Sequence, residues 1–138
     1  MTLTRTILEN IKASLEEVCP FEVRLAHSRC PRNNGKTFII LADEGVSYER
    51  LQSESSRIRY SAIAAVSVTA AVPVRAGTGE LKRIAAAYIL PVMTQLGFGI
   101  AGFSQSSEKD DIAQGIHTME IKFRIKGIYT VPLQEEVL

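Results

Sequence analysis

The segment 115–131 reads Gly115-Ile116-His117-Thr118-Met119-Glu120-Ile121-Lys122-Phe123-Arg124-Ile125-Lys126-Gly127-Ile128-Tyr129-Thr130-Val131. Gly115, His117, Met119, Ile121, Phe123, Ile125, Gly127, Tyr129 and Val131 alternate with a second set that includes Glu120, Lys122, Arg124 and Lys126. A period of two sustained over this length predicts a β-strand with one face on a core. Its other face is charged and is placed for water or for a partner. At about 3.3 Å per residue the strand spans roughly 50 Å, so part of it is expected to project beyond the body of a small domain.

The segments before it extend the pattern. Phe98 to Ser107 reads as a strand, and the acidic stretch Glu108-Lys109-Asp110-Asp111 reads as a tip, giving a long C-terminal hairpin. A helix precedes it. Thr78 is its expected cap, Leu81, Ile84, Ala85, Tyr88, Val92 and Leu96 mark its buried face, and Gly97 suits a left-handed terminus. Pro91 removes a backbone donor, so this helix is expected to bend or break there. Earlier still, Ile58, Tyr60, Ala62, Ala64, Val66, Val68, Ala70 and Val72 share one face of a long strand. The opposite face holds Arg57, Arg59, Ser61, Ile63, Ala65, Ser67 and Thr69, mostly small or polar, so another element can approach it closely.

The first half completes the architecture. Leu8, Ile11, Leu15 and Val18, with Ile7 beside them, form one stripe of a helix from Leu3 to Val18, capped by Thr2 or Thr4 and ended by Pro20. Phe21 to Leu25 alternates as a short strand, and residues 26–35 read as a loop. Lys36 to Ala42 and Val46 to Leu51 read as two strands turned at Asp43-Glu44-Gly45. Residues 132–138 look like a loose tail. The expected fold is α+β: one domain over residues 1–138, a mostly antiparallel sheet, and two helices packed on one face.

Composition narrows the function classes. The chain has 138 residues, 46% of them hydrophobic and 22% charged, ordinary values for a globular domain. A net charge of +1 argues against general nucleic-acid binding through phosphate neutralisation. The longest apolar region, Ala62 to Val74, is broken by Ser67, Thr69 and Pro73, and is well short of the ~20 residues of a spanning helix. The expectation is a soluble, cytosolic chain with no membrane partner. Cys19 and Cys30 are expected to be reduced. Cys19, His27, Cys30 and His117 supply four zinc donors on paper but lack paired spacing, so no metal or cofactor is expected.

No motif supports catalysis. Asn33-Asn34-Gly35-Lys36-Thr37 resembles the end of a phosphate-binding loop, yet Cys30 stands where the first glycine belongs and a strand follows. Gly77-Thr78-Gly79 opens a helix, but Lys82 replaces the third glycine of a dinucleotide fingerprint and Glu80 would face the phosphate. An enzyme reading would gather His27 or His117 with Asp110 and Asp111, carboxylates expected at an exposed tip. The chain is therefore expected not to be an enzyme. A further alternative is a small nucleic-acid- or ligand-binding domain using the basic loop 24–36, where Arg24, His27, Arg29, Arg32 and Lys36 cluster. That loop lacks interleaved aromatics for stacking on bases.

Lys122, Arg124 and Lys126 on one strand face repel one another unless carboxylates lie opposite, supplied by a neighbouring strand or by another subunit. The element order resembles the tail-terminator and tail-completion proteins of long-tailed bacteriophages and their prophage relatives. The likeness runs from the helix at Leu3 through Met119-Glu120-Ile121-Lys122-Phe123-Arg124-Ile125-Lys126-Gly127, which looks like that family's terminal strand. The alanine-rich strand Ala62 to Ala71 is not part of it.

The resemblance implies a structural virion assembly protein forming a ring, usually a hexamer, on the end of the tail tube that faces the head. Its implied partners are copies of itself, the tail-tube protein and a neck or connector protein, with DNA only as passing cargo. Its implied location is the virion, and the host cytoplasm during assembly. Arg57, Arg59, Lys122, Arg124, Lys126, Asp110 and Asp111 are the candidate interface residues.

Overall fold

In the computed structural model, the long alternating segment is one strand, β6 (Ile116–Pro132), and it lies inside a six-stranded sheet. The structure describes residues 3–26, 36–53, 57–77, 79–96, 99–105, 108–111 and 115–132, excepting the side chains of 3–5, 50–53, 57–60, 99, 111 and 128–132. The other strands are β1 (Glu22–Leu25), β2 (Phe38–Ser53), β3 (Arg57–Pro73), β4 (Gly99–Gln105) and β5 (Lys109–Asp111). Their spatial order is β1-β2-β3-β6-β4, with β5 also paired to β6. Every pairing is antiparallel except β1 with β2, which is parallel.

The helices form where the apolar spacing predicts them, with one shift of phase. In α1 (Leu3–Val18), Ile7, Leu8, Ile11 and Leu15 are buried on the sheet, whereas Val18 is half exposed at the helix end. The second helix runs as α2 (Gly79–Ile84), a π turn (Ala85–Ile89) and α3 (Leu90–Gln95). Pro91 has no N–H, and its ring crowds the carbonyl four residues back. The turn before it is correspondingly wide, with the Leu90 N–H donating to the Ala85 carbonyl five residues back. A wide turn carries one extra residue. The buried face therefore passes from Leu81, Ile84 and Ala85 to Ile89, Val92 and Met93, while Tyr88 and Leu96 are only partly buried. Thr2, Thr78 and Gly97 lie outside the described residues, as does the side chain of Thr4.

Both helices pack on one face of the sheet. Their stripes meet Ile39 and Leu41 of β2, Ala64, Val66, Val68, Ala70 and Val72 of β3, and Met119, Ile121, Phe123 and Ile125 of β6. Burying each large side chain of this kind contributes about 1.5–3 kcal/mol. The fold is thus α+β, a mostly antiparallel sheet with its helices on one side.

Two features differ from the sequence reading. Residues 36–42 and 46–51 are not separate strands, because β2 continues through Asp43-Glu44-Gly45. Asp43 pairs with Val66 and Gly45 with Ala65, which leaves Glu44 as the extra residue of a bulge. Gly45 takes φ 111°, and its N–H donates to Asp43 Oδ1 at 2.7 Å. The same residue types that make a turn make a bulge. Asp110 and Asp111 are likewise not in a free tip, since β5 folds back to pair with β6 at Ile116–Thr118.

The projecting part of the sheet lies at the end away from that tip. Among the described side chains, the helix-packed core stops at Val46, Ala64 and Ile125. The three strands run on to Ser53, from Arg57 and to Pro132. This extension is on the order of 20 Å long at about 3.3 Å per residue.

Candidate assembly surface

The sheet face turned away from the helices is where the charged positions of β6 fall. Register places Ala42, Ser67, Lys122 and Ser104 in one row across the strands, and Gly45, Ala65, Arg124 and Gly102 in the next. A third row holds Ser47, Ile63 and Lys126. Glycine and alanine beside Arg124 leave a trough, because no neighbouring side chain fills the space above the backbone. Two cavities of about 520 and 350 Å³ lie along it, sharing Glu44, Ala65 and Arg124 in their linings.

Electrostatically the trough is mostly cationic, with Glu44 its one acidic lining residue. The cross-strand neighbours of Lys122, Arg124 and Lys126 on β3 are Ser67, Ala65 and Ile63, none of them acidic. On β4 they are Ser104, Gly102 and Gly99. Lys122 reaches Glu120 along its own strand at 3.8 Å, a loose and exposed contact. Arg124 and Lys126 are exposed and have no ion-pair or hydrogen-bond partner among the described residues. The strands directly beside β6 thus place no carboxylate opposite these cations, and the one acidic residue lining the trough, Glu44 at the β2 bulge, forms no ion pair with Arg124.

At the other end of the same face, Phe38, Ala71 and Ile116 form a small second cluster with Ile40 packed against it. Arg24 is buried here, with its guanidinium 4.2 Å from the centre of the Phe38 ring and its Nη2 3.0 Å from Glu22 Oε2. The contact holds the Glu22 carboxyl below the usual carboxylate range. Arg24 Nε is buried without a hydrogen-bond partner. Lys36 is exposed, and His27, Arg29 and Arg32 lie outside the described residues. Arg24, expected in the basic loop 24–36, lies in β1 and is turned into a contact of the fold.

The other candidate residues are distributed as follows. Arg57 and Arg59 pair through their backbones with Pro132 and Thr130, and Asp111 with Ile116; the side chains of all three lie outside the described ones. His117, 9% exposed, meets the Asp110 carboxylate through Nδ1, which ties β5 to β6. The exposed tip expected from sequence would hold Asp110 away from His117, and the pairing of β5 with β6 brings them together. Neither trough cavity is lined by this pair. At the start of α2, Glu80 accepts from Arg83 Nε at 2.9 Å, so its carboxylate is occupied within the helix.

Cys19 carries a free thiol, raised by burial to about 11. His27 and Cys30, two of the four paper zinc donors, lie outside the described residues. Among the described residues no group of three or more His, Cys, Asp or Glu side chains is placed to hold a metal ion. No described helix is long and apolar enough to cross a membrane.

No family model and no curated protein matches the chain. Solved structures do match it, 29 chains in all. One is similar with a TM-score of 0.56, over 91% of this chain and 95% of its own, at 12% sequence identity. At that identity the likeness shows a shared fold and no more.

The trough itself was only half legible in sequence. The alternation of β3 marks a face of small residues, and the alternation of β6 marks a row of cations. That Gly45 and Gly102 stand in register with Ala65 and Arg124 follows from strand order and two bulges, which no local pattern carries.

Proposed function

We propose that this chain is a structural subunit that assembles with copies of itself into a ring capping a phage or prophage tail tube, in the manner of the tail terminators it resembles. The observation that supports this reading is a sheet that outgrows its helical cover. Strands β2, β3 and β6 run past Val46, Ala64 and Ile125, where the helix-packed core ends, and the middle of the opposite face carries Lys122, Arg124 and Lys126 beside small uncharged residues of β3 and β4. A lone domain gains little from such an extension, whereas a subunit gains a contact surface. On this reading the protein performs no turnover. It holds a tube end and a neck or connector protein together while DNA passes through the ring.

The test is molecular mass. Light scattering on the full chain over a range of concentrations, alone and with tail-tube protein, is expected to give a closed oligomer, by the family's habit a hexamer. Electron microscopy of tails completed by the protein is expected to place it at the head-proximal end. A monomer under every condition, with tails completed in its absence, would sink the proposal.

A further inference from the structure

We infer that the trough around Arg124 is filled by the acidic segment Glu108–Asp111 of a second copy of this chain, so that the contact between subunits is head-to-tail. The inference rests on the ring reading and specifies its contact. It starts from two exposed cations, Arg124 and Lys126, that make no ion pair among the described residues, in a trough whose one acidic lining residue is Glu44. Lys122, Arg124 and Lys126 stand on alternate positions about 7 Å apart, and the strands on either side offer them serine, alanine, isoleucine and glycine. The trough is a place for a chain segment, since Gly45, Ala65 and Gly102 keep its floor low over a combined length of four strands.

The chain also carries a complement. Glu16 is engaged by Lys12, Glu22 by Arg24, and Glu80 by Arg83. The stretch Glu108-Lys109-Asp110-Asp111 instead places three carboxylates within four residues at the end of the sheet. Asp110 keeps 62% of its side chain exposed even while it meets His117. Glu108 Oε1 is buried, so Asp110 is the carboxylate that the structure shows open to a partner.

The two patches cannot meet within one molecule. Strand pairing fixes Asp110 opposite His117, seven positions from Arg124, a separation of roughly 23 Å along β6. Complementary patches held apart on one subunit generate heterologous contacts, which close into a ring when the rotation between subunits allows it. The acid supplied by the next copy gives Arg124 and Lys126 the ion-pair partners that the first copy does not supply.

The experiment uses the full chain and charge reversal. Arg124→Glu alone, and Asp110→Lys with Asp111→Lys, are each expected to weaken assembly by about tenfold or more, with the circular dichroism spectrum unchanged. Mixing the two variants is expected to restore the oligomer, because in an alternating ring one seam is the wild-type pair and the other sets the reversed position 124 against the reversed positions 110 and 111. Should the reversals unfold the chain, Arg124→Gln and Asp111→Asn are the milder pair, each expected to lower assembly in the same direction. An oligomer of unchanged mass in the Arg124→Glu variant overturns the inference and leaves the ring reading standing. So does loss of tube binding with the ring intact, which assigns the trough to the tube. Failure of the mixture to reassemble overturns it as well. A wild-type monomer under all conditions removes both readings together.

Discussion

Replacing Arg24 by methionine should leave the protein as stable as before, or slightly more so. Arg24 is a buried cation, and the terms acting on it can be set against each other. Its favourable contacts are an ion pair with Glu22 and a position 4.2 Å over the Phe38 ring. Glu22 is half exposed, so that pair contributes at most about 1 kcal/mol. The cation–π contact adds about 2 kcal/mol when desolvated. Against them stand several kcal/mol for desolvating the guanidinium and about 1–3 kcal/mol for a buried donor, Nε, left without a partner. The costs match or exceed the gains.

Methionine keeps an unbranched stem on Phe38 and adds a sulfur–aromatic contact of about 0.3–1.5 kcal/mol. The assay is urea unfolding at neutral pH, followed by circular dichroism. With a slope of about 2 kcal/mol per molar, the midpoint of Arg24→Met should equal that of wild type or rise by up to about 0.5 M. Acid supplies an independent check. Because Arg24 lowers the Glu22 pKa in the folded state, this pair's contribution is present above the ordinary carboxylate pKa. It is lost as pH falls through the lowered value. The variant should therefore lose less stability than wild type on acidification through that range. A fall of more than about 0.7 M in the neutral midpoint, with the slope unchanged, would refute the reasoning and make Arg24 a net stabiliser.

Further outcomes are expected at Cys19, at the Phe123–Phe103 pair and at Gly45. In a Cys30→Ser background, iodoacetamide should alkylate Cys19 about a hundredfold more slowly at pH 8 than an ordinary thiol with pKa 9.0, since burial raises Cys19 to about 11; equal rates would place the thiol in water. The same shift makes the folded state hold its proton longer, so stability should fall between about pH 9 and 11 in wild type but not in Cys19→Ser. Phe123→Ala, at 1% exposure, should cost about 3–5 kcal/mol in chemical denaturation. Phe103→Ser, at 61% exposure with its ring 5.9 Å from Phe123, should cost only about 1 kcal/mol, and equal losses would contradict the packing described. Gly45→Ala should destabilise by about 1–3 kcal/mol through its φ of 111°, although nothing crowds the added methyl group; an unchanged thermal midpoint would mean the bulge relaxes.

Much of the fold was written in local periodicity. The alternation of Met119 to Ile125 and of Ala62 to Val72 identifies the two central strands, and the spacing of Ile7, Leu8, Ile11 and Leu15 identifies α1. Local patterns fail where two geometries use the same residues. Asp43-Glu44-Gly45 satisfies the chemistry of a turn and of a bulge equally, and only pairing with Val66 and Ala65 decides between them. Pro91 announces a break, but the π turn that accommodates it shifts the buried stripe to Ile89 and Met93, beyond a count in steps of 3.6. The His117–Asp110 contact depends on β5 folding back, a long-range event. The candidate surface was legible as a row of cations and a row of small residues, but not as one trough.

Strand β6 is the last described element in sequence and occupies an interior seat in the sheet, between β3 and β4. During synthesis the helices and five other strands therefore emerge before the segment that joins them. Until it arrives, β3 is an open edge rich in valine and alanine, without the lysines or prolines that discourage wrong pairing along its centre. A chain interrupted before Ile116 does not lose a margin. It lacks the keystone and exposes on both sides the surfaces most prone to pairing with another nascent chain.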